Sequence, residues 1–189
     1  MNNQRSKQTA VLAIFFASML VIHTLSATVF SFFPLPIKPT LVHIPVIVAS
    51  ILYGPRIGAT LGGLMGLISM THNTLFLLPS SYLFSPFVEN GSLYSVLIAV
   101  LPRVLIGVTP FYVAKWSSSR LGLILAGAIG SLTNTIFVLG GIFVLFQSVF
   151  DGNIQKMIAS VLGTNSLAEM IISASLTVAI VPVLQKIKK

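Results

Sequence analysis

The chain has 189 residues, 55% of them hydrophobic and 7% charged, and a mean hydropathy of +0.98. Water could not wet such a surface, so the composition describes an integral membrane protein. It has room for about six helices of about 20 to 25 residues and none for a separate aqueous domain. The formal charge of +8 collects at predicted helix ends instead of forming a stripe with interleaved aromatics, which argues for bilayer topology and against nucleic acid.

Cysteine is absent, which removes thiol catalysis, disulfides and thiolate metal sites. A polar start with Arg5 and Lys7 leads into a first predicted helix from about Thr9 to Phe32. It lacks a small-residue cleavage site and is too long for a signal-peptide core, so it is expected to be retained. Ala10, Ala13 and Ala17 share one side of it, and Ala13-xxx-Ala17 forms a small-xxx-small pair. In lipid, where packing drives association, such a pair admits another helix closely.

Three prolines and Lys38 make Phe32 to Thr40 a loop. A short second helix, Leu41 to Tyr53, turns at Tyr53-Gly54-Pro55-Arg56 into a third, about Ile57 to Leu78. There Gly58, Gly62, Gly63 and Gly66 offer a groove for close backbone contact. After a polar, aromatic loop with Glu89, the fourth helix spans 93–114, the fifth 121–146 and the sixth 154–184. The fold expected is an all-α, compact six-transmembrane-helix bundle occupying 1–189 as a single domain. Arg5, Lys7, Arg56, Lys115, Arg120, Lys186, Lys188 and Lys189 then fall on one side, and the positive-inside rule makes both termini cytoplasmic.

Arg103, in the middle of the fourth helix, requires an explanation. At the centre of a membrane span an arginine costs about 2.5 to 3.5 kcal/mol, and it normally faces a polar cavity and an anionic partner. Pro102 frees a backbone carbonyl that must also find a donor. The anion is either a ligand or Glu169, the one acid deep in an apolar run. Counting about 1.5 Å per residue from each helix start places His72, Asn73, Asn134, Arg103, Asn165 and Glu169 in one outer-to-middle layer, with the inner half almost featureless. One pocket opening outward follows, with His43 and Tyr94 as further candidate contacts and Phe84, Phe87, Tyr82 and Tyr94 as either cover or interfacial belt.

No metal site is expected, because His23, His43 and His72 lack ligand spacing. No catalytic residues are expected either: there is no GxSxG elbow, HExxH pair or intramembrane carboxylate pair. A stand-alone intramembrane enzyme or structural membrane protein is the competing class.

The KPTLVHIPVIVASILYGPRIGATLGGLMG run from Lys38 to Gly66, the SPF and LPRVLIGV segments between Ser85 and Val108, and the Ala13-xxx-Ala17 face together resemble the S components of energy-coupling factor (ECF) vitamin transporters, and most closely the pantothenate group. The resemblance implies a multi-pass protein of the bacterial cell membrane that captures a small-molecule vitamin from outside. It implies docking through the alanine face onto a membrane coupling subunit of the EcfT type that carries two cytoplasmic ATPases. ATP and Mg would be used by those partners, with no cofactor in this chain. The assembled complex is expected to topple the S component, so no inner pathway is needed. Pantothenate would present its carboxylate to Arg103 and its amide and hydroxyls to His72, Asn73, Asn134 and Asn165. Hydroxymethylpyrimidine or pyridoxine, both uncharged, would instead let Arg103 and Glu169 pair with each other.

Overall fold

The computed structural model describes residues 2–32, 41–77, 80–117, 119–146 and 165–188. Every regular element among them is helical. In chain order these are α1 (Asn2–Ser31), α2 (His43–Tyr53), α3 (Pro55–Leu75), a short 3-10 turn at Ser81–Leu83, α4 (Leu93–Ile106), α5 (Thr109–Trp116), α6 (Arg120–Leu145) and α7 (Leu167–Lys188).

Four stretches are long and apolar enough to cross a bilayer: Gln4–Val29, Leu93–Trp116, Arg120–Leu145 and Leu167–Lys188. α2 is too short to span unaided and is buried along almost its whole length. It forms the centre of the bundle, where Val46, Ile47 and Ala49 meet Met19, Leu61 and Ile106. Its other face, through Ile44, Val48 and Leu52, meets Leu123 and Val181. α1 lies at the periphery, with Met19 fully buried against this core.

Helix boundaries differ from the expected ones, by two residues at the starts of α2 and α3 and by more in four places. α1 starts at Asn2 instead of Thr9, since nothing in the polar start breaks a helix. α3 stops at Leu75, and Leu78 lies outside the described residues. The fourth helix breaks at Gly107–Val108, where Pro110 in the first turn of α5 removes a backbone donor and starts a new helix. α7 continues to Lys188; the expected beginning of that span, 154–164, lies outside the described residues.

α3 and α4 run antiparallel at a separation that glycine permits. A Cβ at Gly58 would strike the Gly107 carbonyl, one at Gly62 the Arg103 carbonyl, and one at Gly66 the Ala99 carbonyl at 2.8 Å. These three glycines recur every four residues and form one ridgeless stripe. Gly63 points elsewhere and would meet only Val104 Cγ2 at 3.9 Å. The backbone that carries Arg103 is therefore held directly against α3. α6 and α7 approach in a similar way: Gly127 faces Ser173, Ala174 and Thr177, and Ser173 Oγ donates to the Gly127 carbonyl at 3.0 Å.

Candidate functional site

Among the described residues Arg103 is the one buried Lys or Arg, 8% exposed. Proline at position 102 has no N–H for the carbonyl of Ile98, four residues earlier, and its ring crowds that oxygen. Arg103 Nη1 donates to this same Ile98 oxygen at 2.6 Å. The guanidinium thus satisfies the acceptor that its neighbour leaves open, and its plane is fixed by the helix that bears it. Its carbon Cζ lies 5.2 Å from the centroid of the Phe84 ring, a cation–π distance. Nε has no hydrogen-bond partner.

Glu169, in the first turn of α7, is also 8% exposed, and its charge acts on Arg103. Two pairs of contacts bracket the layer. Between α4 or α5 and α6, the Thr109 and Thr133 hydroxyls meet at 3.2 Å and Gly141 faces Ile98; Arg103 and Asn134 lie between these points. Between α6 and α7, the Thr135 and Ser166 hydroxyls meet at 2.9 Å and Ser173 bonds Gly127; Asn134 and Glu169 lie between those. Arg103, Asn134 and Glu169 thus lie on three neighbouring helices between the same sets of contacts, with Glu169 electrostatically linked to Arg103. Asn134 Oδ1 and Ser131 Oγ, both buried on α6, have no hydrogen-bond partner. Asn165 is half-buried and precedes Ser166 at the entrance to α7.

The other expected contacts have the following surroundings. His72 packs edge-on against His23 of α1, with ring centroids 5.0 Å apart, and tilted against Phe76 at 4.9 Å, so it belongs to the α1–α3 seam. Asn73 donates from Nδ2 to the Ser69 carbonyl at 2.9 Å and accepts from Ser81 Oγ at 3.3 Å, which pins the 3-10 turn to α3. His43 is fully buried at the start of α2. Tyr94 is 51% exposed, as expected for an interfacial belt residue and not for a pocket wall.

Small hydroxyls, which carry too little signal in an apolar sequence to be assigned in advance, build the cover. Thr74 and Ser85 hydroxyls meet at 2.7 Å, and Ser95 Oγ accepts from the Ser92 N–H while donating to the Tyr82 carbonyl at 2.6 Å. Leu83 of the turn packs with Ile98, Ile142 and Phe146. This places Phe84 directly over the arginine. Arg103 and Glu169 are each 8% exposed, and Arg103 lies beneath Phe84, the residue that follows the Ser81–Leu83 turn.

Nor is the part of the bundle towards the basic helix ends featureless. Ser50, Ser173 and Thr177 are fully buried there. Ser173 serves the α6–α7 contact, and all three are single hydroxyls scattered over α2 and α7, not a continuous polar lining. Among the described residues no three histidine or carboxylate side chains come together as metal ligands.

A family model for the substrate-specific component of ECF transporters matches residues 7–181. The chain is also 42% identical over 191 aligned positions to the pantothenic acid transporter PanT of Lactococcus lactis subsp. cremoris (strain MG1363), with 98% of this chain and 97% of that protein covered. Both matches run through every helix that contributes to the Arg103 layer, and the protein belongs to the substrate-specific components of ECF transporters, multi-pass proteins of the bacterial membrane.

Proposed function

We propose that the chain captures pantothenate in the layer formed by Arg103, Asn134 and Glu169 and delivers it as the binding subunit of an ECF importer. The observation that carries this reading is the guanidinium itself, buried, held at one nitrogen by the Ile98 carbonyl and open at Nε. A carboxylate is the ligand group that matches it in charge and geometry. Asn134 Oδ1 and Ser131 Oγ, both without partners, suit the amide N–H and hydroxyls of the same molecule. The function of that relative, pantothenic acid transport, supports the same substrate.

In this reading Asn165 lines the edge of the site, and Glu169 holds Arg103 charged and oriented while the site is empty. His72, Asn73, His43 and Tyr94 act around the site: the first two fix α1 and the cover, the third fills the centre, and the last anchors the interface. The bundle crosses the membrane six times with both termini in the cytoplasm. The layer is reached from outside when the Ser81–Leu83 turn lifts. Ala10, Ala13 and Ala17 on α1, all exposed, form the face that docks on a coupling subunit of the EcfT type. Two cytoplasmic ATPases bound to that subunit supply the energy, so ATP and Mg act outside this chain.

Calorimetric titration of the purified chain with pantothenate, hydroxymethylpyrimidine and pyridoxine tests the assignment. Pantothenate is expected to bind and the two neutral compounds are not. Preference for a neutral ligand would leave Arg103 and Glu169 as a structural pair and overturn the carboxylate role.

A further inference from the structure

At the end of the bundle opposite the Arg103 cover, the start of α1, the end of α2, the start of α3 and the end of α7 surround a groove of about 210 Å³. Its rim carries Lys7, Gln8, Tyr53 and Lys188, and its floor carries Val11, Leu52 and Ile57. Lys188 is not a free tail residue. Its ammonium donates to the carbonyl oxygen of Leu52, one of the last carbonyls of α2, and lies 4.5 Å from the centroid of the Tyr53 ring. A cation placed there satisfies a helix-end acceptor and complements the helix dipole. One of its three N–H groups is used in this way, and the others remain for a ligand. Phe15 packs in a T-shaped arrangement with Tyr53, ring centroids 5.9 Å apart, which helps to hold that ring in place.

Among the described residues no acidic side chain lines this groove. The two acidic side chains that the structure describes are Glu89, between the 3-10 turn and α4, and Glu169, at the opposite end of α7. Two lysines from opposite ends of the sequence therefore converge on a shallow site with an apolar floor, at the level where a span leaves the hydrocarbon. We infer that this groove binds the phosphate of an anionic phospholipid, with Lys7 and Lys188 on the phosphate and the glycerol and upper acyl chain against Val11, Leu52 and Ile57. The apolar floor distinguishes a lipid from free phosphate, which would gain nothing from it. Bound there, the lipid joins the first turns of peripheral α1 to the last turn of α7.

The test is native mass spectrometry of the full chain in neutral detergent, titrated with dioleoylphosphatidylglycerol, dioleoylphosphatidylcholine or inorganic phosphate. Wild type is expected to retain phosphatidylglycerol in preference to phosphatidylcholine. Lys7→Gln and Lys188→Gln should each weaken that retention about fivefold, the equivalent of about 1 kcal/mol per lysine near an anionic surface. Lys115→Gln, exposed at the same basic end on α5, should leave it unchanged. Lys7 caps no helix, so its variant reads the site on an intact fold. Equal retention of the two lipids, equal losses in Lys115→Gln, or displacement of the lipid by inorganic phosphate would each overturn the inference. So would loss of the bound lipid when a coupling subunit co-purifies, since the groove would then be a protein contact.

Discussion

Arg103 donates to the carbonyl of Ile98, the acceptor that Pro102 leaves without its helical N–H. The three residues form one device: a proline that would otherwise cost a membrane helix an unsatisfied carbonyl, and an arginine whose rotamer is set by filling that vacancy. A guanidinium tied at one nitrogen presents its remaining donors in a fixed plane, and little orientation entropy is left to lose when a carboxylate arrives.

The first prediction tests that device. Pro102→Ala restores an N–H that bonds the Ile98 carbonyl and should raise the melting temperature, since proline in a helix interior costs up to about 3 kcal/mol. Pantothenate affinity should fall about tenfold as Nη1 loses its anchor, in line with about 1.5 to 3 kcal/mol for a charged hydrogen bond. Scanning fluorimetry and calorimetry read the two effects separately. Unchanged affinity would mean that the carbonyl does not orient Arg103.

Arg103 and Glu169 should behave as a coupled pair. Removing one charge leaves the other buried, a loss of about 3 to 5 kcal/mol, so Arg103→Gln and Glu169→Gln should each unfold at clearly lower temperature. The double variant should recover most of that stability, because no uncompensated charge remains. Pantothenate binding should be lost with Arg103 in both backgrounds. A double variant no more stable than the singles would show the two charges to be independent.

The glycine stripe of α3 should discriminate between neighbours. Gly62→Ala drives a methyl group into the Arg103 backbone, which cannot rotate aside, at a cost of about 1 to 3 kcal/mol and with loss of ligand affinity. Gly63→Ala meets Val104 Cγ2 at an ordinary distance and should be neutral or stabilising, since alanine is favoured over glycine in a helix. Thermal denaturation of the two variants decides; equal effects would remove the close α3–α4 contact as the support of the site.

What could be read in advance follows from range. Glycines spaced along one helix are a local pattern, and they marked α3 for close backbone contact without saying which helix would approach it. The carbonyl freed by Pro102 was also legible, because that rule concerns five consecutive residues. Which way His72 faces was not: its place in the layer follows from depth along the helix, but its turn towards His23 and Phe76 depends on how α1 packs on α3. Helix rotation is a tertiary property. The break after Ile106 did carry a signal, Gly107 followed by Pro110, which apolarity across 93–114 concealed. The contacts around the layer include pairs such as Thr74–Ser85 and Thr135–Ser166, formed by residues 11 and 31 positions apart, and no spacing rule announces those.

The exposed alanines of α1 yield the last prediction. Ala13 and Ala17 are exposed, next to Ile14 at 66% exposure, so large side chains there point away from the described helices. Ala13→Trp with Ala17→Trp should therefore leave the melting temperature and pantothenate affinity of the isolated protein within error of wild type. Uptake by cells expressing the complete transporter should nevertheless be abolished, because two indoles hold an approaching helix beyond the separation that small residues allow. Measuring both quantities on the same variant separates docking from binding. Full uptake would remove this face from the partner interface, whereas loss of ligand affinity would mean that α1 shapes the site itself.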